Sequence, residues 1–257
     1  MSSAVVIIPC YNEARRLQIS TFQDFTCDGH PLRFLFVNDG STDETLMVLK
    51  SLQRYDPQRF TFLDLPRNGG KAEAVRAGLL RAFDAGSDYV GYWDADLATP
   101  LGAILDFCDL LDASPDLMVV FGARVRLLGR AIERRAIRHY LGRVFATAAS
   151  LVLAIAVYDT QCGAKLFRMS PETKSLFQEP FVTKWLFDVE IVARLIQARW
   201  GKNLPPVDSI IYEFPLYSWR DVAGSKVKPL DFVKAFFGLV MIYWKYLRPL
   251  SPTGTGR

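Results

Sequence analysis

Two carboxylates at the end of an apolar stretch are the residues in this sequence that are best suited to chemistry. Asp94 and Asp96 follow the apolar and aromatic run of residues 89–93. Alternation points the two side chains to the same side of an extended backbone. Two such carboxylates suit a hard divalent cation that holds a diphosphate group. Alternatively, one aspartate caps the following helix and the other is solvated, and for an isolated pair that alternative is the stronger one.

The elements that must position these carboxylates can be traced from the apolar runs. Five runs, at residues 4–9, 33–37, 60–65, 89–93 and 117–121, are predicted to be strands. The first two are continuous rather than alternating, as is typical of parallel strands covered on both faces. Helical patterns separate them, and the strand–helix units recur every ~25–30 residues. The spacing predicts an α/β fold with a doubly wound, mostly parallel twisted sheet flanked by helices.

In such a sheet, ligands bind beyond the carboxyl ends of the strands. Polar residues collect there, and they are Tyr11, Glu13, Asp39, Lys71, Asp94 and Asp96. Their convergence on one edge predicts a ligand site. The turn after the first strand has no G-x-G-x-x-G, and no P-loop occurs in the chain, so these two phosphate-binding motifs are excluded.

Composition narrows the function further. The net charge of +4 is too small to argue for nucleic acid. The four cysteines and two histidines are scattered, so we expect neither a zinc site nor a disulfide framework. We therefore expect the protein in a reducing compartment. No apolar run is long enough for an ordinary membrane span, and the N-terminus does not resemble a signal peptide.

A cationic stretch in the second half of the chain feeds directly into an apolar one. Seven arginines lie between residues 124 and 143, and residues 144–158 are uncharged. Arg134 and Arg138 are four apart, on one face of a predicted helix. The pattern suits an acceptor with an anionic head and a hydrocarbon tail, because arginine binds phosphate bidentately. A solvated helical face is the alternative.

Six motifs in order then identify a family resemblance. They are residues 6–13, 37–43, 68–71, 94–97, 159–167 and 224–226. The chain resembles family 2 glycosyltransferases of the GT-A fold, over nearly its whole length. Within that family it is most similar to the dolichyl- or polyprenyl-phosphate glucosyltransferases, and next to the dolichyl-phosphate mannose synthases.

The resemblance implies a role for each matching residue. It implies that Asp94 and Asp96 bind Mg²⁺ or Mn²⁺, and that donor binding involves Pro9, Tyr11, Glu13, Asp39, Lys71, Asp94, Gln161, Arg220 and Lys226. The acceptor phosphate would meet Arg124, Arg134 and Arg138, and the catalytic set would be Asp96, Arg124, Arg138 and Asp188. One departure is Ala98, where the mannose synthases have a glutamine that contacts the metal.

The implied reaction is the inverting transfer of a hexose to a lipid phosphate, and the favoured donor is UDP-glucose. A phosphate is already ionised near neutrality, so its oxygen can attack without a general base. Three alternatives stay open: mannosyl transfer from GDP-mannose, transfer to a sugar hydroxyl with Asp188 or Glu190 as base, and a nucleotide-sugar-binding membrane adaptor without turnover. Asp188 could also orient a sugar hydroxyl or cap its helix.

The chain is expected to form one catalytic domain over residues 1–228, followed by an amphipathic helix and tail over 229–257. Aromatic residues and lysines in that tail predict a helix that lies at a membrane interface or packs on the domain. We expect a peripheral protein on the cytoplasmic face of a membrane. The polar loop of residues 219–226 is expected to become ordered when the donor binds.

Overall fold

The computed structural model describes residues 2–27, 29–133, 136–221 and 229–248, without the side chains of residues 136–138 and 229–233. Arg134 and Lys226 therefore lie outside the described residues, as does the side chain of Arg138. The strands are β1 (Ala4–Cys10), β2 (Leu32–Asp39), β3 (Phe60–Leu65), β4 (Tyr89–Trp93), β5 (Val119–Ala123), β6 (Ala131–Glu133), β7 (Ala164–Arg168), β8 (Ile211–Pro215) and β9 (Ser218–Arg220).

The helices alternate with these strands in the first half of the chain and cluster in the second. They are α1 (Ile19–Asp24), α2 (Thr45–Tyr55), α3 (Lys71–Phe83), α4 (Ala103–Ala113), α5 (Ala136–Leu153), α6 (Pro171–Gln178), α7 (Phe187–Arg199), α8 (Val207–Ile210) and α9 (Pro229–Ile242), with a π-helical turn at Tyr243–Leu247.

Seven strands form one mixed sheet in the order β3-β2-β1-β4-β7-β5-β8. The strands β3, β2, β1 and β4 are parallel neighbours, as the continuous apolar runs predict. β7 runs antiparallel between β4 and β5, and β8 is parallel to β5. The α/β fold and mostly parallel sheet are confirmed, whereas the antiparallel β7 was not anticipated. The fifth predicted strand begins two residues later than expected, at Val119.

Helices cover both faces of the sheet, so each central strand buries both of its sides. In β1, Val5 and Ile7 pack into one core cluster, and Val6 and Ile8 pack into the other. This is the alternation expected of an extended chain between two layers. α3 approaches the sheet closely at Gly78, where a Cβ would lie 2.7 Å from Ile7 Cγ2.

The C-terminal helix α9 packs against the body by one side. Ala235, Leu239 and Ile242 are buried in the core cluster that also contains α7 residues. Phe236 and Phe237, by contrast, are about two-thirds exposed. Among the described residues, we find no helix with the length and apolar character needed to cross a bilayer.

Candidate active site

A cavity of about 340 Å³ opens where β4 and β5 end and antiparallel β7 begins. Because β7 runs against its neighbours, its amino end meets their carboxyl ends at the same edge of the sheet. The cavity therefore collects residues from distant parts of the sequence, and those that carry charge are Lys71, Asp94, Asp96, Arg124, Arg143, Asp159, Lys184, Asp188 and Asp221.

Asp94 is held in place from two sides. Its backbone N–H donates to the carbonyl of Gly163 at 2.9 Å, and its carboxylate forms an ion pair with Lys71 at the start of α3. Gly163 lies so close that a Cβ there would be 1.9 Å from Asp94 Oδ2. Burial alone would lower the pKa of Lys71, but Asp94, Asp188 and Asp96 raise it above its ordinary value. Lys71 is therefore charged.

Asp96 lies two residues on, also in the cavity. Its Oδ1 accepts a hydrogen bond from Ala98 N at 3.1 Å, and Leu97 between them has a φ of 53°. Burial, followed by the negative charge of Asp94, raises the pKa of Asp96. Two oxygen donors whose negative charges oppose each other fit a hard divalent cation, which would relieve that repulsion. No cluster of three or more potential metal ligands is found within the described ranges.

Asp188 faces the cavity as part of a buried network, and it does not cap its helix. Its Oδ1 accepts hydrogen bonds from the hydroxyl of Tyr92 and from Lys165 Nζ, the latter at 2.5 Å. Leu186 occupies the cap position of α7, without a side-chain cap. Lys165 is fully buried and also donates to the carbonyls of Thr160 and Cys162. Of the roles considered for Asp188, helix capping is therefore excluded, and its cavity-facing position is compatible with contact to a substrate.

Glu190, the other carboxylate considered as a base, lies in the core. It is fully buried, does not line the cavity, and accepts hydrogen bonds from Val182 N, Arg194 and the Tyr246 hydroxyl. These bonds join α7 to the loop before it and to the C-terminal turn. The geometry assigns Glu190 a structural role, because its oxygens serve as hydrogen-bond acceptors within the fold.

Arg124 follows β5 and points into the cavity beside Asp159. Its Nε and Nη2 donate to the two oxygens of Asp159 at 2.6 and 2.7 Å. Burial alone would lower the pKa of Arg124, but Asp159 outweighs it and keeps the guanidinium charged. Arg143 also lines the cavity, and it donates to the carbonyl of Tyr158 at 3.0 Å. Two described members of the arginine cluster thus reach the cavity.

The residues expected to bind the nucleotide lie at the carboxyl ends of β1 and β2. Asp39 is buried and accepts from the N–H groups of Gly69 and Gly70, so it fixes the loop that precedes Lys71. Burial raises the pKa of Asp39, although these two hydrogen bonds lower it. Pro9 lies in β1, Tyr11 and Glu13 follow that strand, and Glu13 N donates to Thr45 Oγ1. None of these four lines the cavity described above.

Gln161 and Arg220 show two different outcomes for the expected donor residues. Gln161 lines the cavity. The side chain of Arg220 does not, because it is 78% exposed and pairs with Glu133 at 3.3 Å. Its backbone N–H nevertheless donates to the carbonyl of Ala98, so the strand lies against the Asp96 turn. The parallel pairing of β6 with β9 holds it there.

The sequence assigned no individual role to several cavity residues, and they are Thr99, Thr160, Lys184, Trp185 and Trp219. Lys165 does not line the cavity but donates to Asp188, and it too was assigned no role. A charged residue within the apolar run of residues 164–167 was a usable signal for it, since a buried lysine needs a partner. Lys184 and Trp185 lie in the segment just before α7 and carry no such signal. Only their position beside Phe187 and Asp188 brings them to the cavity.

Comparisons with known proteins agree with this architecture. The model of the family described as Glycosyl transferase family 2 matches residues 5–175. Dolichyl-phosphate beta-glucosyltransferases of Saccharomyces cerevisiae and Drosophila melanogaster are both 31% identical to this chain. Each alignment covers 94% of this chain and 74% of the relative.

Solved structures share the fold at much lower identity. Glucosyl-3-phosphoglycerate synthase from Mycobacterium tuberculosis, solved with Mn²⁺ and UDP-glucose, superposes with a TM-score of 0.62 at 17% identity, covering 95% of this chain and 79% of that one. Mannosyltransferase PcManGT from Pyrobaculum calidifontis, solved with GDP-Man and Mn²⁺, gives a TM-score of 0.57 at 18% identity, covering 94% of this chain and 62% of that one. At these identities the likeness shows the fold alone.

Proposed function

The chain belongs to glycosyl transferase family 2, and from that membership we propose that it transfers glucose from UDP-glucose to dolichyl phosphate or a related polyprenyl phosphate. The observation that carries the proposal is one cavity lined by the carboxylates Asp94 and Asp96 and by the cations Lys71, Arg124 and Arg143. A site of this kind can hold two phosphate-bearing substrates at once. The names of the relatives at 31% identity support glucose as the sugar and dolichyl phosphate as the acceptor.

The reaction needs no proton transfer to the protein at the bond-forming step. An oxygen of the acceptor phosphate attacks the anomeric carbon of glucose, and the bond from that carbon to the diphosphate oxygen breaks. The electron pair leaves with UDP, and attack from the opposite face inverts the anomeric centre. The protein must align the two substrates and stabilise the negative charge that develops on UDP.

Asp94 and Asp96 would hold the divalent cation, Mg²⁺ or Mn²⁺, which when bound supplies positive charge to the departing diphosphate. Lys71 pairs with Asp94 and supplies a second positive charge at the same place. Ala98 offers no side-chain ligand, so the remaining coordination positions would fall to the diphosphate and water, as magnesium readily accepts. Pro9, Tyr11, Glu13 and Asp39 would bind the nucleoside, from the adjacent strand ends.

Arg124 and Arg143 would face the acceptor phosphate, together with Arg134 and Arg138 of the adjoining segment. Arg124 is oriented by Asp159, which leaves Nη1 as a donor outside that ion pair. Arginine suits this role because it remains charged and binds phosphate through two parallel hydrogen bonds. Arg220, the last residue of β9, and Lys226 beyond it would contact the donor if the segment that follows β9 closes over it.

The hydrocarbon part of the acceptor and the surrounding membrane would meet the exposed apolar side chains of α5 and the C-terminal helix. Val144 and Leu151 on α5, and Phe236, Phe237 and Trp244 near the C-terminus, are all more than half exposed. Arg143 and Ala235 from the same two helices line the cavity, so lipid lying on these helices would have its phosphate near the site. We place this contact on the cytoplasmic face of the membrane, beside a catalytic domain of residues 1–228.

The mannosyl alternative from GDP-mannose differs in nucleoside and sugar but uses the same cavity. Transfer to a sugar hydroxyl is a second candidate, because Asp188 faces the cavity and could accept a proton. A binding protein without turnover is the non-enzymatic candidate. The first alternative differs from the proposal in its donor, the second in its acceptor, and the third in releasing no nucleotide, so one set of assays separates them.

The test measures nucleotide release from UDP-glucose and GDP-mannose, with Mg²⁺ or Mn²⁺, in the presence and absence of a short polyprenyl phosphate. We expect UDP release that requires both the metal and the lipid phosphate, with GDP-mannose a poor donor. Asp96→Ala should abolish metal-dependent donor binding, whereas Arg138→Ala should chiefly raise the KM for the acceptor. Release with a free sugar as the sole acceptor would refute the proposal, and so would binding of donor with no release.

A further inference from the structure

The loop that leads into β7 contains two buried polar groups, the Thr160 hydroxyl and the Gln161 side-chain nitrogen, for which the described part of the chain supplies no hydrogen-bond partner. Thr160 is only 1% exposed, yet its hydroxyl forms no hydrogen bond to any described residue. The side-chain N–H₂ of Gln161 is also buried without a partner there. Both residues line the cavity. Buried polar groups are normally paired, so two unpaired groups at one cavity wall point to a ligand that pairs with them.

Several other groups of this loop form hydrogen bonds or ion pairs within the fold, and these contacts restrain its backbone. Asp159 pairs with Arg124. Lys165 Nζ donates to the carbonyls of Thr160 and Cys162 at 2.9 and 2.7 Å, and is itself anchored by Asp188. The Gly163 carbonyl accepts from Asp94 N. Contacts at Asp159, at Gly163 and at the carbonyls between them thus hold the loop of residues 159–163 in place.

The position of the loop identifies which part of a substrate would reach it. Gly163 contacts Asp94, so residues 160–163 lie directly beside the carboxylate pair. In the proposed function that pair holds the donor diphosphate, and the sugar is attached to the diphosphate. A hexose bound there would lie against Thr160 and Gln161, with Asp188 on the wall formed by α7.

We propose that Thr160 and Gln161 form hydrogen bonds with hydroxyl groups of the transferred hexose and thereby determine which sugar the protein accepts. This inference rests on the proposed function. A hydroxyl and an amide can each donate and accept, and so can a sugar hydroxyl. Because the two groups are buried, a donor that lacks the matching hydroxyl leaves them unpaired, and this discriminates more strongly than shape alone.

The test compares UDP-glucose with UDP-glucose derivatives that lack one hydroxyl at position 2, 3, 4 or 6. Binding with Mn²⁺ is measured by calorimetry, and kcat/KM is measured in the transfer assay. For the wild type, kcat/KM should be lower by about tenfold or more with at least one deoxy derivative than with UDP-glucose. Thr160→Val keeps the shape and removes the hydroxyl, so its kcat/KM with UDP-glucose should fall by a similar factor. With that deoxy derivative, the variant and the wild type should have the same kcat/KM. Gln161→Met should behave likewise for a different position, and Thr160→Ser should restore discrimination.

Two further measurements separate recognition from structure. Thr160→Val should leave the midpoint of thermal unfolding unchanged or raise it, because the hydroxyl that it removes is unpaired in the free protein. The matched control is Thr61→Val on β3, outside the cavity, where the hydroxyl donates a hydrogen bond to Phe34 O. This variant should bind and use every nucleotide-sugar as the wild type does.

Equal losses on all donors, or no loss on any, would overturn the inference for Thr160. A lowered unfolding midpoint with unchanged donor discrimination would overturn it too, since that result indicates a structural hydroxyl. Failure of the proposed function looks different. A wild type that binds these donors selectively but transfers no sugar to polyprenyl phosphate would refute the acceptor assignment and leave the sugar-recognition result standing.

Discussion

Replacing Gly163 with alanine should displace the carboxylate of Asp94, although neither Asp94 nor Asp96 is itself substituted. Gly163 is not held at a positive φ, so alanine can adopt its backbone conformation. The added Cβ would, however, lie 1.9 Å from Asp94 Oδ2 and 2.2 Å from Cγ. The terminal atoms of Asp94 must therefore move, since no two such atoms coexist at that separation.

The size of the effect follows from the distance. Ordinary contacts of a Cβ begin near 3.4 Å, so the Asp94 carboxylate must retreat by about 1.5 Å or rotate away from Lys71. Misplacement of a reacting or positioning group by ~1 Å can cost ~100-fold in rate. We therefore expect kcat/KM to fall by about 100-fold or more. The fold should survive, because overpacking of this kind costs ~1–3 kcal/mol.

The assay measures metal-dependent UDP-glucose binding and UDP release for Gly163→Ala, beside the control Gly102→Ala. A Cβ at Gly102 has no atom within 4 Å, and its φ of −56° suits alanine, so this variant should resemble the wild type. Because Gly163 acts through Asp94, adding Gly163→Ala to Asp94→Ala should lower activity little further. Activity within threefold of wild type, or fully additive losses in the double variant, would refute the reasoning.

Two remaining predictions concern stability. Lys165→Met should lower the free energy of unfolding by ~3–5 kcal/mol in urea denaturation, because it leaves Asp188 buried without its cationic partner. The control is Lys174→Met at the exposed pair with Asp84, which should change the free energy of unfolding by less than ~1 kcal/mol. Similar losses in both variants would contradict this prediction. Burial alone would lower the pKa of His30, but hydrogen bonds to Asp109 and the Ser2 carbonyl raise that pKa above 6.5. The stability that protonated His30 contributes is therefore fully present below pH 6.5 and is lost as the pH rises through the pKa of the folded state. Compared with His30→Gln, the wild type should therefore show a fall in the free energy of unfolding over that window, and parallel pH curves for the two proteins would argue against it.

The first half of the fold could be predicted from the sequence because its information is local. Short runs rich in apolar residues mark the strands, and the runs at 60–65 and 89–93 match β3 and β4 residue for residue. Polar residues at the ends of parallel strands must share one edge, so the nearness of Lys71, Asp94 and Asp96 was predictable in outline.

The second half depends on contacts between distant segments. No local pattern indicates that β7 inserts antiparallel between β4 and β5, although this insertion carries residues 159–163 to Asp94. Nor does a pattern distinguish Asp188 from Glu190, two residues apart in the first turn of one helix. Their surroundings decide, since Asp188 meets Tyr92 and Lys165 at the cavity while Glu190 meets Arg194 and Tyr246 in the core.

The fold class, the family resemblance and the carboxylate pair could thus be recognised from the residues in their order, because hydrophobic periodicity and short motifs are properties of neighbouring residues. The pairing of charged side chains could be recognised only from their positions in three dimensions. The tertiary structure directs Lys71 to Asp94, Arg124 to Asp159 and Arg220 outward to Glu133, and it leaves Thr160 unpaired at the cavity wall. Pairing depends on distance and burial in three dimensions, and the order of residues along the chain does not contain either quantity.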